Sequence, residues 1–355
     1  TNTAGGTQNI AIGNYAGDAL TSADNNTIIG YNAGTAITTG GSHVAIGRHA
    51  LKTVTTVTDC VAVGMHALEA NTVSATTAIG SYSLYKNTTG TGNTGVGYTT
   101  LEENTTGSDN TAVGSDALDA NTTGANNTAV GQQALSANTT ANDNTAVGKN
   151  SMLTNTEGYS NTAIGIYSLR QNTTGDNNVA VGQSALLTNT TGDDNTAVGY
   201  NALYYNTASD NTAVGMTAME ANTTGTKNVA VGFEALHLNT TGGNNIAIGM
   251  QALHANTTAN YNIAIGEATM GANTTGTRNL AIGQRAYQAS DTESDNMAIG
   301  YEALGVNTAG GSQNVAIGNF AADALTSGDN NQALGYSALT NLNAGIKNIV
   351  IGYIP

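Results

Sequence analysis

The chain has no tryptophan, one cysteine and one proline, and only 9% of its 355 residues are charged. Each scarcity removes a class of protein. A lone Cys60 excludes both an intrachain disulfide framework and a cysteine metal site. A disordered polar linker would be richer in proline and charge, so the chain is expected to fold. Nine basic residues against 24 acidic ones give a net charge of −15, and no Lys/Arg cluster follows from so few. Nucleic acid is therefore not an expected partner, nor is an anionic lipid surface. No run approaches the roughly eighteen apolar residues of a spanning helix, so no membrane insertion is expected in this section. The start, Thr1-Asn2-Thr3, has neither Met nor signal peptide, and the expectation is a processed product or a section of a longer chain.

What is abundant is glycine, at 45 residues, and repetition. A five-residue phrase, Asn-x-Ala-(Val/Ile)-Gly in its commonest form, occurs 21 times from Asn9 to Asn348, and only three of the return intervals differ from 17 residues, each by one. An unbroken short period overrides the usual length prior for several globular domains and predicts one continuous repeat domain over residues 1–355.

Aligned on the phrase, the copies record what each position tolerates. Position five is glycine in all 21 copies, so the site needs a positive φ or lies against another backbone. Position four is Val or Ile except at Leu334, and β-branched residues at a fixed point favour a strand. Position three is Ala in 18 copies, the exceptions being Ile28, Gly95 and Val350. Strand side chains alternate, so positions two and four share one face while three and five share the other. After the glycine, pairs such as Ala117-Leu118 and Ala134-Leu135 supply a second apolar anchor, and a corner written Asn-Thr-Thr-Gly leads to the next phrase. Asn and Gly are expected to provide the left-handed conformations of that corner. Two packed helices need roughly 33 residues per unit and a propeller blade about 40, so neither fits the period. The fold expected is all-β: a flattened parallel β-solenoid of about 20 coils, each with two short strands and two corners.

A strand that is small or apolar on both sides reads as buried on both faces. If Val/Ile and Leu fill the interior, the small column (Ala112, Ala129 and Ala146 with Gly114, Gly131 and Gly148) faces outward and is covered by another copy of the chain along its length. The alternative arrangement has the small residues inside a narrow solenoid and Val/Ile turned toward a partner or solvent.

The phrases Asn178-Val179-Ala180-Val181-Gly182 and Asn262-Ile263-Ala264-Ile265-Gly266 resemble the head repeats of trimeric autotransporter adhesins of the YadA type and the similar repeats of phage tail fibres. The resemblance covers essentially the whole chain. It implies a left-handed β-roll, a homotrimer of side-by-side copies, an extracellular, cell-surface or virion location, and a role in attachment to a host-surface glycan or protein. Adhesin heads have a shorter repeat, and no stalk, anchor or fibre chaperone is visible here. Residues 2–34 recur at 307–339 with 23 of 33 positions identical, which predicts a longer tandem array or a head-to-tail filament. The closing stretch from Ile349 to Pro355 is the most apolar and reads as a cap or axial junction.

No enzyme is expected, because a catalytic site should interrupt the repeat and the interruptions are few. His43 and Cys60 replace Asn in neighbouring copies, and His49 and His66 share one offset in the same two coils. Such residues can bind a transition metal or act as nucleophile and base. No acidic orienter is evident beside them, and a structural role is expected. His237 and His254 read as a stacked surface pair. Calcium is the ion to consider at Asp176-Asn177-Asn178, Asp193-Asp194-Asn195 and Asp329-Asn330-Asn331. Self-bonded Asx corners account for the same residues, and no other cofactor is expected. The asparagines of the phrase are expected to form an internal amide ladder. Tyr31, Tyr98, Tyr200, Phe233, Tyr301 and Tyr336, each just after the glycine, form a candidate exposed binding row. An alternative function is ice binding. It requires Thr at alternate positions of a flat strand, whereas the paired Thr here sit adjacent in a corner.

Overall fold

A computed structural model describes residues 6–306 and 310–353. Residues 2–5 and 307–309 of the recurring ends, the Thr1-Asn2-Thr3 start and Ile354-Pro355 of the closing stretch lie outside the described residues. The fold is an all-β parallel solenoid with no helix among the described residues. None is therefore present that is long and apolar enough to cross a membrane.

The chain divides into two compact units, residues 1–177 and 178–355. The first stacks ten strands, from β1 (Ile10–Ile12) to β10 (Thr162–Ile164); the second has eleven, from β11 (Val179–Val181) to β21 (Ile349–Ile351). Each strand is three residues long, at positions two to four of the phrase. In the first unit β7 (Thr111–Val113), β8 (Thr128–Val130) and β9 (Thr145–Val147) pair in parallel without slip, Ala112 on Ala129 on Ala146. In the second, Ala180 stands on Ala197 and Ala197 on Ala213 in the same way.

Residues 110–126 show how one coil closes. The N–H groups of Thr111, Leu118, Ala120 and Thr122 donate to carbonyls of the following coil, while those of Gly114, Asp116 and Asn126 donate to the preceding one. Two bonds close within the coil, Ala117 N–H to the Gly114 carbonyl and Asn121 N–H to the Leu118 carbonyl. This pattern requires positive φ at four places: Gly114 (128°), Asp116 (57°), Leu118 (52°) and Asn126 (60°). The second strand expected at Ala117-Leu118 therefore does not form. Its leucine is left-handed and opens a tight turn, so each coil has one strand followed by consecutive turns.

The interior is narrow. Position three (Ala112, Ala129, Ala146), position eight (Ala117, Ala134, Ser151) and position nine (Leu118, Leu135, Met152) are fully buried. Where position three is Gly95, an added Cβ would point at Ser83 and Leu84 of the preceding coil, 2.5 Å from Oγ and 3.5 Å from Cδ1. Positions eight and nine thus fill the space beneath the alanine column. The Asn-Thr-Thr-Gly corner also differs from expectation. Asn121 and Gly124 have no positive φ; Asn121 is buried, and the left-handed residues are at positions seven, nine and seventeen.

Glycine at position five satisfies two constraints together. Gly131 has φ 136°, and a Cβ there would lie 2.6 Å from the carbonyl oxygen of Gly148 in the next coil. A side chain would be strained and would also wedge two coils apart. Gly131→Ala is expected to destabilise the first unit by about 3 kcal/mol, the sum of a backbone and an overpacking cost, measured by chemical denaturation followed by far-UV circular dichroism. A change below about 1 kcal/mol would show that the coils can separate freely there.

Candidate functional site

Two buried amide columns occupy the middle of each stack. At position one, the Asn127 N–H and Nδ2 both donate to Oδ1 of Asn110 in the preceding coil, at 3.0 and 3.1 Å. Nδ2 also donates across its own coil to the Ala141 carbonyl at 2.9 Å. A second ladder, not anticipated from sequence, runs through position twelve. Asn138 Nδ2 donates to Asn121 Oδ1 at 2.8 Å and to the same Ala141 carbonyl at 3.1 Å. The two columns therefore converge on one backbone oxygen per coil. The amides replace solvent for buried backbone groups that the short strand leaves unpaired.

The irregular residues at position one follow the same pattern. His43 N–H donates to Asn26 Oδ1 at 3.0 Å, its Nε2 lies 2.9 Å from the Val57 carbonyl, and its Nδ1 accepts the Cys60 N–H at 3.2 Å. A carbonyl can only accept, so Nε2 carries the proton and the ring is a neutral imidazole standing in for an amide. Burial pushes the His43 pKa down. The Cys60 thiol, directed at the Val73 carbonyl at 3.3 Å, is pushed up by burial. A raised thiol pKa is the reverse of what a nucleophile needs. His43 and Cys60 are fully buried, and among the described residues the donor atoms that gather are those of His49, His66 and Glu69, without either of them.

The outer surface is the reverse of the first arrangement expected. Ala112, Ala129 and Ala146 are fully buried within a single chain, and Gly114, Gly131 and Gly148 lie against the next coil's backbone. They cannot present a face to a second copy. A 17-residue coil encloses room for one alanine column and one leucine column, so the β-branched side of the strand is turned outward. Val113 and Val130 are 36% exposed and Ile164 41%. Among the aromatics, Tyr31, Tyr98, Tyr200, Phe233 and Tyr336 are exposed and Tyr301 is half-buried. All six stand at position six of their coils. In the first unit Tyr31 packs on His49 and Tyr98 on Tyr82, within a column Tyr15-Tyr31-His49-His66-Tyr82-Tyr98. In the second, Tyr301 and Tyr336 flank Phe320.

An acidic partner for the outward histidines exists, contrary to the sequence reading. Glu69 lies three residues after His66, and the turns of the coil bring position ten back beside position seven. Its carboxylate accepts from His66 Nδ1 and lies 3.8 Å from His49 Nδ1. Burial pushes the Glu69 pKa up, but hydrogen bonds from His66 and Lys52 outweigh it and hold the carboxylate below its ordinary value. The spacing His66-x-x-Glu69 was the available signal. In the second unit His237 and His254 are stacked with centroids 5.4 Å apart.

At the acidic corners, Asp176 Oδ1 accepts the Tyr159 N–H at 2.9 Å and Asp329 Oδ1 the Ser312 N–H at 2.9 Å. Asn195 and Asn331 belong to the buried ladder. These carboxylates bond the backbone of a neighbouring coil rather than their own. Burial, with Asp116 nearby, raises the Asp119 carboxyl to about 6.

Because the folded chain holds His43 neutral while the unfolded chain protonates it near 6.5, the unfolded state binds more protons as pH falls below that value. Its contribution to stability is therefore present above about pH 6.5 and lost on acidification, by at most about 1.4 kcal/mol per pH unit. Restoring the amide with His43→Asn should flatten the stability of the first unit between pH 7.5 and 5.5, measured by denaturation at each pH. An unchanged slope would mean the imidazole is not held neutral.

No protein-family model matches the chain, and no curated protein matches it.

Proposed function

We propose that this chain is a non-enzymatic structural and adhesive protein, an extracellular β-roll section in which identical copies associate side by side as a homotrimer through the outward Val/Ile face. The observation that carries this reading is the composition of that face. Positions two and four of the phrase, from Ile10 and Ile12 through Ile349 and Ile351, contain no charged residue in any of the 21 copies, although the chain carries 24 acids. Exposed apolar surface of this kind marks an association site. It is also self-matching, since a second copy shifted by one coil meets the same residues. The resemblance to adhesin heads and tail fibres supports the same arrangement. Exposed aromatics such as Tyr98 and Tyr200 border the face at position six, where rings with one polar edge suit a host-surface glycan or protein.

A second reading, ice binding, is favoured by one feature. Thr77, Thr94, Thr111, Thr128, Thr145 and Thr162 occupy the outward position two in consecutive, unslipped coils. Their partners at position four are Val or Ile, giving a repeating hydroxyl and methyl surface. Thermal hysteresis of the purified chain separates the readings.

The self-association reading predicts an oligomer by sedimentation velocity. The triple variant Val113→Lys, Val130→Lys, Ile164→Lys, which places like charges on an otherwise uncharged face, should weaken association at least tenfold with an unchanged far-UV spectrum. A monomeric parent chain at micromolar concentration would overturn it.

A further inference from the structure

We propose that His49, His66 and Glu69 form a binding site for a divalent transition metal of the zinc class. The stack itself creates the geometry. His49 and His66 both occupy position seven of adjacent coils, with φ 62° and 61°. Their N–H groups donate to Tyr31 and Arg48 of the preceding coils at 3.0 and 2.9 Å. Identical backbone placement makes the two imidazoles nearly parallel, centroids 5.0 Å apart at 20°. Both Nδ1 atoms then face the same carboxylate. The three donor atoms lie within 4.8 Å of one another. The side chains are only 15–18% exposed, so water is largely excluded.

A second observation comes from His49. Its Nδ1 is occluded from solvent yet has no hydrogen-bond partner, and Glu69 Oε1 is 3.8 Å away. A metal ion at the centre of the three atoms would satisfy it. Zinc accepts two imidazole nitrogens and one carboxylate oxygen at roughly 2.0–2.2 Å, leaving a fourth position for water. On binding, the metal takes the Nδ1 lone pair and His66 changes tautomer, its proton passing from Nδ1 to Nε2 so that the ring stays neutral. Arg48 Nη2, 3.2 Å from His66 Nε2 in the metal-free chain, then faces an N–H and turns away to water, where the exposed Arg48 side chain is free to go. Lys52, whose ammonium lies 3.0 Å from Glu69 Oε1, competes with the metal for the carboxylate; its side chain is 40% exposed and can turn to water.

The second histidine pair lacks this focus. His237 Nδ1 faces Glu220 at 3.8 Å, whereas His254 Nε2 faces Glu234 at 3.6 Å, so the two rings address different carboxylates. It provides an internal control of the same composition. The site also spans an irregular part of the first unit: the position-one amides are replaced there by His43 and Cys60, and Val54 stands at position twelve. A metal bridging His49 and His66 would fasten these two coils together.

The test uses the full, untagged chain, freed of metal by chelation and titrated with cobalt(II) and zinc(II) at pH 7.5. One equivalent of cobalt(II) with visible bands of low-symmetry, four-coordinate geometry is expected, displaced by zinc. His49→Gln, His66→Gln and Glu69→Gln should each weaken binding at least tenfold, and His237→Gln should leave it unchanged. Lys52→Ala should tighten it several-fold, a gain that misfolding cannot produce. Absence of stoichiometric binding, or binding indifferent to His49→Gln, would overturn the proposal. So would an equal loss in His237→Gln.

Discussion

Everything in this fold follows from sending backbone hydrogen bonds along the stack while turning the chain through a full coil in about seventeen residues. A three-residue strand cannot do this alone. In residues 110–126 the remaining turn is made by four residues with positive φ, including Leu118, a type that rarely adopts that conformation. Each of the three that carry a side chain costs on the order of 1 kcal/mol. The cost is offset because it aligns an N–H with a carbonyl of an adjacent coil, and the same offset recurs at every step. Cooperation between neighbours, rather than a thick core, is what stabilises a one-dimensional array.

That geometry leaves an interior too thin for large side chains and too polar to leave unpaired, and the two asparagine ladders answer both conditions. Where the ladder varies, volume is conserved. In the first two coils position nine is Gly17 and Gly34, and the missing bulk returns at position twelve as Leu20 and Ile37, whose Cδ1 atoms lie 2.7 and 2.8 Å from where a Cβ on the glycine would be. At Tyr287 the leucine is enlarged to a fully buried ring whose hydroxyl accepts the Asn296 amide, while position twelve shrinks to Ser290. His43 completes the series by copying an amide with an imidazole. Cores tolerate exchange when total volume and patterning are kept, and at Tyr287 and His43 the exchange includes polar partners.

The period, the parallel register, the glycine column and the first amide ladder were legible because each depends on residue identity repeated at a fixed interval. Which face of the strand lies inside was not. Alternation states that Thr111 and Val113 share a side opposite Ala112, but the choice between the sides depends on coil width, which is set by turns whose φ values leave no compositional trace. Leu118 is a common residue in a rare conformation, so Ala117-Leu118 resembled a strand. Glu69 is hidden in the sequence for a related reason: one column holds His49 above His66, whereas the carboxylate comes from position ten and reaches them only because consecutive turns fold the coil back.

Turning Val and Ile outward is costly for an isolated chain, since β-branched side chains on an exposed sheet face invite uncontrolled association. The distribution of charge limits that hazard. All 24 acidic residues stand outside positions two and four, many at the corner before the phrase, as at Asp109, Asp143, Asp194 and Asp210. Repulsion among chains of net charge −15 then opposes contact through the corners, while the uncharged strand face opposes none. In the proposed assembly this asymmetry selects one direction of approach. Because every coil repeats it, alignment of two copies at one coil brings their other coils into register, so a weak contact per step becomes strong only when the copies lie side by side.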